Sequence, residues 1–102
     1  MKLIQVFVPL TDNAGNRFPE SYFARLKSAF SEKYGGVTVY KQMPVEGFWK
    51  ETKATAEKDV LVIFEVLTDT LDISYWKDLK TQLETTFRQK DLLIRYWEIT
   101  VL

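Results

Sequence analysis

Four polar side chains fall within strand-like, otherwise apolar segments, and their types could support chemistry: Gln5, Tyr40, Glu65 and Arg95. Side chains alternate between the two faces of a strand, and this alternation predicts that all four project from one sheet face. In the predicted strand order Gln5 lies between Glu65 and Arg95, so the three long side chains could meet. As a ligand site, Arg95 would hold an anionic or carbonyl group. Glu65 would act as a base or orient Arg95, and Tyr40 would donate a hydrogen bond.

A structural role for these four residues is favoured, as a satisfied ion pair at a subunit interface or simply as the polar half of a strand pattern. Structural ion pairs are common among carboxylates whose pKa is perturbed. Trp49 and Trp97 could form an aromatic wall for a flat ligand, although packing is the commoner role of Trp. Trp76 belongs to a helical stripe and is predicted in the core. The candidate catalytic residues are therefore Glu65, Arg95 and Tyr40, and the candidate ligand-binding residues are Gln5, Tyr40, Trp49, Glu65, Arg95 and Trp97.

Composition limits the chemistry further. The chain of 102 residues has no Cys and no His, so thiolate chemistry, disulfides, His general bases and the usual transition-metal ligands are excluded. We expect no metal and no cofactor. Lys plus Arg and Asp plus Glu both number 14, so the summed charge offers no attraction for nucleic acid.

The first apolar run is interrupted by Gln5, is closed by Pro9 and is followed by no signal-peptidase pattern. A cytoplasmic location is therefore expected, and no segment is long enough for a membrane span. The length is that of one domain, covering residues 1–102.

The elements that position the four polar residues follow from periodicity. Alternating apolar residues predict strands over residues 2–8, 37–43, 59–67 and 91–102. Helical spacing predicts one helix from Pro19 to the Gly35-Gly36 stop, and a second, capped by Asp72 or Ser74, that ends near Phe87. Pro44 predicts an edge strand, Gly47 a bulge or bend before Phe48-Trp49, and residues 50–58 a long hairpin tip.

The resulting β-α-β-β-α-β order predicts an α+β, ferredoxin-like fold, with a four-stranded antiparallel sheet and two helices on one face. One alternate set is apolar throughout, as the helix-covered face requires: Ile4, Val6, Val8, Val37, Val39, Val60, Val62, Phe64, Val66, Leu92, Ile94 and Tyr96. In the second strand, Met43 is expected on the same face as Val37 and Val39. An RNA-recognition module shares this order, but the third strand lacks its basic, glycine and exposed aromatic residues.

The opposite face is also apolar, with Leu3, Phe7, Tyr40, Leu61, Ile63, Leu67, Trp97, Ile99 and Val101. A four-stranded face covers roughly 400 Å², near the limit of about 300–600 Å² for a patch on a monomer. The last strand also outruns its neighbours, and an unpaired edge is adhesive. A homodimer that packs sheet to sheet is favoured. The alternative is that the overhang pairs within the chain, against Phe48-Trp49.

Three short motifs carry a resemblance: Gly35-Gly36-Val37-Thr38-Val39-Tyr40, then Gly47-Phe48-Trp49, then Phe87-Arg88-Gln89. The chain resembles small uncharacterised bacterial domains of ferredoxin-like fold with a glycine-threonine strand start and a Gly-x-Trp. More loosely it resembles the dimeric α+β barrel group. That group includes cofactor-independent monooxygenases and other small enzymes.

Three functions remain open at this point. The first is a domain that homodimerises through its sheet and binds a small, partly apolar ligand. The second is a cofactor-independent enzyme, monooxygenase- or isomerase-like, with its site on the open sheet face. The third is a protein-interaction module that uses the overhanging strand. No nucleic-acid or membrane partner is expected.

Overall fold

A computed structural model describes residues 1–45 and 59–102. The elements are β1 (Lys2–Pro9), α1 (Glu20–Tyr34), β2 (Thr38–Val45), β3 (Asp59–Thr68), α2 (Ile73–Thr86) and β4 (Ile94–Glu98). The four strands form one antiparallel sheet in the order β2-β3-β1-β4. This arrangement confirms the expected α+β, ferredoxin-like fold. It also confirms that Pro44 lies on an edge strand and that β3 is central.

One side of the sheet packs against both helices and forms the main core. β1 and β3 contribute alternate residues such as Val6 and Phe64, and α1 and α2 contribute Phe30 and Trp76. The rings of Phe30 and Trp76 lie 5.7 Å apart, which joins the two helices above the sheet. The period-two and period-3.6 apolar patterns therefore meet in one core, as they must in a two-layer fold.

Each helix begins and ends where its local chemistry predicts. Pro19 precedes α1, and Gly35 ends it in the left-handed region, with a φ of 79°. That conformation is strained for a residue with a side chain. At the start of α2, the Asp72 carboxylate accepts a hydrogen bond from the backbone amide of Tyr75 at 3.2 Å. Asp72, rather than Ser74, is therefore the cap.

Replacing Asp72 with Ala should lower the free energy of unfolding by about 1 kcal/mol, because one amide of the first turn of α2 loses its acceptor. Chemical denaturation of the two proteins would measure the difference. Asp72→Asn keeps an acceptor at the same position and should stay close to the original protein. Equal losses in both variants would contradict the capping role.

Two strand predictions were wrong, one in the extent of the strand and one in its register. The last strand is only Ile94–Glu98 instead of residues 91–102, because β1 offers it partners only as far as the pair Lys2 and Glu98. One more bond follows, from the Ile99 amide to the Met1 carbonyl. The alternation predicted through Met43 also fails, because the register of β2 shifts between Tyr40 and Met43 and brings Met43 opposite Leu61.

Two residues expected on the helix-covered face are exposed. Tyr96 lies on the edge strand β4 and Val60 near the start of β3. The predicted bend at Gly47, the Phe48-Trp49 segment and the hairpin tip lie outside the described residues.

Candidate functional site

Gln5 stands at the middle of the candidate site. In the sheet register it pairs with Glu65 on one side and with Arg95 on the other. Its side-chain amide donates to Glu65 Oε1 at 2.9 Å, and its Oε1 accepts from Arg95 Nε at 3.0 Å. The side chains of β3, β1 and β4 therefore form one polar row, Glu65–Gln5–Arg95, on the face away from the helices. The predicted meeting of these three residues is confirmed.

Tyr40 extends this row from β2. Its hydroxyl donates to Glu65 Oε2 at 3.4 Å, a long hydrogen bond. The negative charge of Glu65 raises the pKa of Tyr40, because a phenolate beside a carboxylate would be repelled. The Tyr40 hydroxyl therefore remains protonated at neutral pH and donates to Glu65, and its predicted donation to a ligand stays a prediction.

Among the described residues, the hydrogen-bond donors to the Glu65 carboxylate are the neutral side chains of Gln5 and Tyr40. Glu65 is half-buried, and no cation lies within ion-pair distance of it in residues 1–45 and 59–102. The direct Glu65–Arg95 ion pair considered from the sequence is absent from this part of the chain, because the Gln5 amide stands between the two charges. A carboxylate held this way remains able to accept further donors.

Arg95 is surrounded by aromatic rings on the same face. Its guanidinium carbon lies 5.1 Å from the ring centre of Phe7 and 5.5 Å from that of Trp97. Both distances are within the range of cation–π attraction. Trp97 thus adjoins the site, as predicted, although it supports Arg95 here. Trp49 lies outside the described residues.

On the face away from the helices, the burial of the apolar side chains differs between the two sides of the polar row. Next to the polar row on one side lies a buried cluster, which consists of Phe7, Leu61, Ile63 and the half-buried Leu93. On the other side lies an exposed apolar row, which consists of Leu67, Leu3 and Trp97 on three adjacent strands. Leu67 is 42% exposed and Trp97 40%, while Leu3 is half-buried. The expectation that this face is not left bare is therefore confirmed for the buried cluster, which is covered within the chain, and it stays a prediction for the exposed apolar row.

A cavity of about 270 Å³ opens beside this face, and the sequence reasoning missed it. It lies where β3 runs past the start of β2, between the Gly35-Gly36 turn and Leu67. Burial raises the pKa of Tyr34 to about 12, so that the Tyr34 hydroxyl stays protonated. The Gly35-Gly36 pair was the available signal, since two residues without side chains leave space. The lining residues are Tyr34, Gly35, Gly36, Val37, Thr38, Glu65, Val66 and Leu67.

Glu98 makes two ion pairs at this end of the sheet. Its carboxylate contacts Lys2 Nζ at 2.8 Å and the amino group of Met1 at 2.7 Å. The hydrogen bonds from these two cations lower the pKa of Glu98 to about 2. The stabilising contribution of Glu98 is therefore present above its ordinary pKa of 4.5 and is lost as the pH falls towards 2.

Glu98→Gln should accordingly unfold at a lower temperature than the original protein near neutral pH. The difference between the two should shrink below about pH 4.5 and vanish near about pH 2. Thermal unfolding followed by circular dichroism across this range would measure it. Because both ion pairs are exposed, the difference should be small, and a difference that grows on acidification would contradict the assignment.

Comparisons with known proteins identify no similar protein. No family model matches the chain, and no curated protein or solved structure matches it. The resemblance to small bacterial ferredoxin-like domains and to the dimeric α+β barrel group therefore stays a prediction. Within the described residues, no group of acidic side chains could hold a metal ion, and no helix is long and apolar enough to cross a membrane.

Proposed function

We propose that this chain is a homodimerising domain whose contact surface is the exposed half of the open sheet face. The observation that supports it best is the exposed apolar row, Leu67–Leu3–Trp97, which lies on three adjacent strands beside the polar row. A large aromatic side chain beside Arg95 is typical of the residues that contribute most to protein contacts.

Two further apolar residues follow Trp97 beyond the end of β4: Ile99 is half-buried and Val101 is exposed. Exposed apolar residues grouped in this way mark a site of association. A second copy offers the same surface, so two identical rows could cover each other.

Sedimentation of the full chain at micromolar concentration would test the proposal, and a dimer mass is expected. Trp97→Asp should yield a monomer, because it places a charge within the apolar row. Tyr96→Asp is the matched control, since Tyr96 is also exposed but lies at the next position of β4 and so on the other sheet face. A monomeric original protein, or equal dissociation of both variants, would overturn the proposal.

The cavity beside Glu65 supports a second candidate function, the binding of a small, partly apolar ligand. Its lining combines apolar side chains such as Val37 and Leu67 with one carboxylate, which is the usual composition of a ligand pocket. A thermal-shift screen of small molecules would test it. A compound that stabilises the original protein but not Glu65→Gln would support ligand binding at this cavity. If the screen finds no such compound, the result counts against ligand binding there.

Two alternatives stay predictions. A cofactor-independent enzyme would use Glu65 as base, Arg95 as anchor and Tyr40 as hydrogen-bond donor on the same face. A protein-interaction module would use the edge of β4 and the residues that follow it. Turnover that disappears in Glu65→Gln would favour the enzyme, whereas a partner that competes with self-association would favour the module.

A further inference from the structure

The cavity beside the open sheet face has a single charged side chain among the described residues of its lining. Glu65 is that residue, and Tyr34 and Thr38 supply hydroxyl groups. Burial holds the Tyr34 hydroxyl in its neutral form, since it raises the pKa of Tyr34 to about 12. The rest of the lining consists of apolar residues and the Gly35-Gly36 turn. A ligand in this cavity would therefore meet one carboxylate and no cationic side chain from the described lining.

The Glu65 carboxylate has acceptor capacity that the described residues leave unused. It accepts from the Gln5 amide at 2.9 Å and from the Tyr40 hydroxyl at 3.4 Å, and both donors are neutral. A carboxylate offers about four acceptor positions, so about two remain open. When the donor is a cation, Coulomb attraction adds to the hydrogen bond, and a partly buried pair is only weakly screened by salt. An ammonium group therefore gains more from this carboxylate than a neutral hydroxyl does.

A backbone carbonyl beside Glu65 lies where the sheet offers it no strand partner. In an antiparallel sheet, the backbone groups of alternate residues point to opposite neighbouring strands. The Leu10 amide donates to the Val60 carbonyl at 3.1 Å, so the even-numbered residues of β3 face β1, and Glu65 and Leu67 face the side of β2. Glu65 lies opposite Thr38, where β2 begins, and β2 therefore does not extend to the position opposite Leu67. Because Leu67 lines the cavity, its carbonyl is a second acceptor there.

Two other charges near the cavity lie outside its lining and have opposite signs. The Lys33 ammonium lies over the ring of Tyr75, 4.3 Å from its centre. Asp72 lies near the Tyr34 hydroxyl, since its negative charge adds to the effect of burial on the pKa of Tyr34. The effects of Lys33 and Asp72 oppose each other, so Glu65 determines the sign of the charge that a bound ligand meets.

The size and the walls of the cavity define the remainder of the ligand. Its volume of about 270 Å³ lies just below the range of about 300–1,000 Å³ that is usual for ligand sites, so the ligand is small. We propose that the cavity binds a small apolar molecule with one ammonium group, which donates to Glu65 and to the Leu67 carbonyl. The apolar part of the molecule then packs against Val37 and Val66. This inference rests on the second candidate function, ligand binding at the cavity, and adds the chemical class of the ligand.

Three probes that share one apolar body and differ in the head group test the ligand class. At neutral pH phenethylamine is a cation, phenethyl alcohol is neutral and hydrocinnamate is an anion. Each is titrated into the isotope-labelled full chain, and binding is followed by the NMR shifts of the backbone amides. The amine should bind roughly tenfold more tightly than the alcohol, and the anion should bind most weakly. Shifts at the amides of Gly35, Gly36 and Leu67 would locate the probe at the cavity.

Glu65→Gln removes the charge and keeps the shape of the side chain. In this variant the amine should bind no more tightly than the alcohol, and the affinity for the alcohol should not change. Glu32→Gln is the matched control, because it removes the same charge from an exposed position of α1 outside the lining, and it should keep the preference for the amine. Circular dichroism would check that both variants fold. If Glu65→Gln does not fold, the comparison of the three probes in the original protein still tests the inference.

The outcomes separate this inference from ligand binding itself. Equal binding of the three probes at the cavity, or a preference for the amine that survives in Glu65→Gln, overturns the ammonium class and leaves the cavity as a ligand site. If none of the three probes shifts the cavity amides, the ammonium class is also overturned, and the thermal-shift screen then tests the cavity by itself. A preference for the amine that disappears in Glu65→Gln and persists in Glu32→Gln, with shifts at the cavity amides, supports the inference.

Discussion

Truncation of Phe87 to Ala should lower the free energy of unfolding by about 3–5 kcal/mol, which is the usual cost of removing a buried ring. Phe87 follows α2 and is 1% exposed. Its ring meets Phe18 edge-on at 4.9 Å, and it also contacts Tyr22 at 5.7 Å and Phe23 at 5.6 Å. It thus joins the end of α2 to the start of α1, and its loss would leave a cavity that the neighbouring rings cannot fill.

Denaturation with guanidinium would measure this loss, with Phe87→Leu as the control. Leu keeps most of the buried apolar volume, so it should cost clearly less than Ala. A loss below about 1.5 kcal/mol for Phe87→Ala would show that the contact between α1 and α2 does not depend on this ring.

The periodic spacing of apolar residues along the chain predicts most of the fold. The alternation of Ile4, Val6 and Val8 and the helical spacing of Phe23, Leu26 and Phe30 each specify an element and its buried face, and all six residues are buried. These signals depend only on neighbours along the chain. The extent of β4 depends on where β1 stops offering partners, which is a property of two strands together. For that reason the sequence of residues 91–102, which favours a strand throughout, overestimates β4.

The candidate site was likewise predictable only in part. The alternation of side chains along each strand places Gln5, Glu65 and Arg95 on one face, and the strand order of the fold puts Gln5 between the two charged residues. Both steps were available from the sequence. The cavity was only partly available: Gly35-Gly36 indicates space at the turn, but the cavity itself exists only where β3 outruns β2 in the observed register. The graded exposure of the open face was also missed, since alternation assigns a face and says nothing about how much of it is covered.

The difference in exposure between the two sides of the polar row leads to the second large predicted change in the free energy of unfolding. Phe7→Ala should cost about 3–5 kcal/mol although Phe7 points away from the helices, because Phe7 is 2% exposed and packs with Leu61 and Ile63. Leu67→Ala, on the same face, should change the stability of the monomer by only about 0.5 kcal/mol, since Leu67 is exposed. The two substitutions thus compare opposite sides of the polar row.

Both variants should be compared with the original protein by chemical denaturation at a concentration too low for self-association. At higher concentration Leu67→Ala should lose additional stability, because the original protein then gains from association and the variant gains less. Phe7→Ala should show nearly the same loss at both concentrations, since its contacts lie within the chain. A small loss for Phe7→Ala would mean that the buried cluster contributes little to folding. A Leu67→Ala loss that does not depend on concentration would argue against the exposed apolar row as the surface of contact between copies.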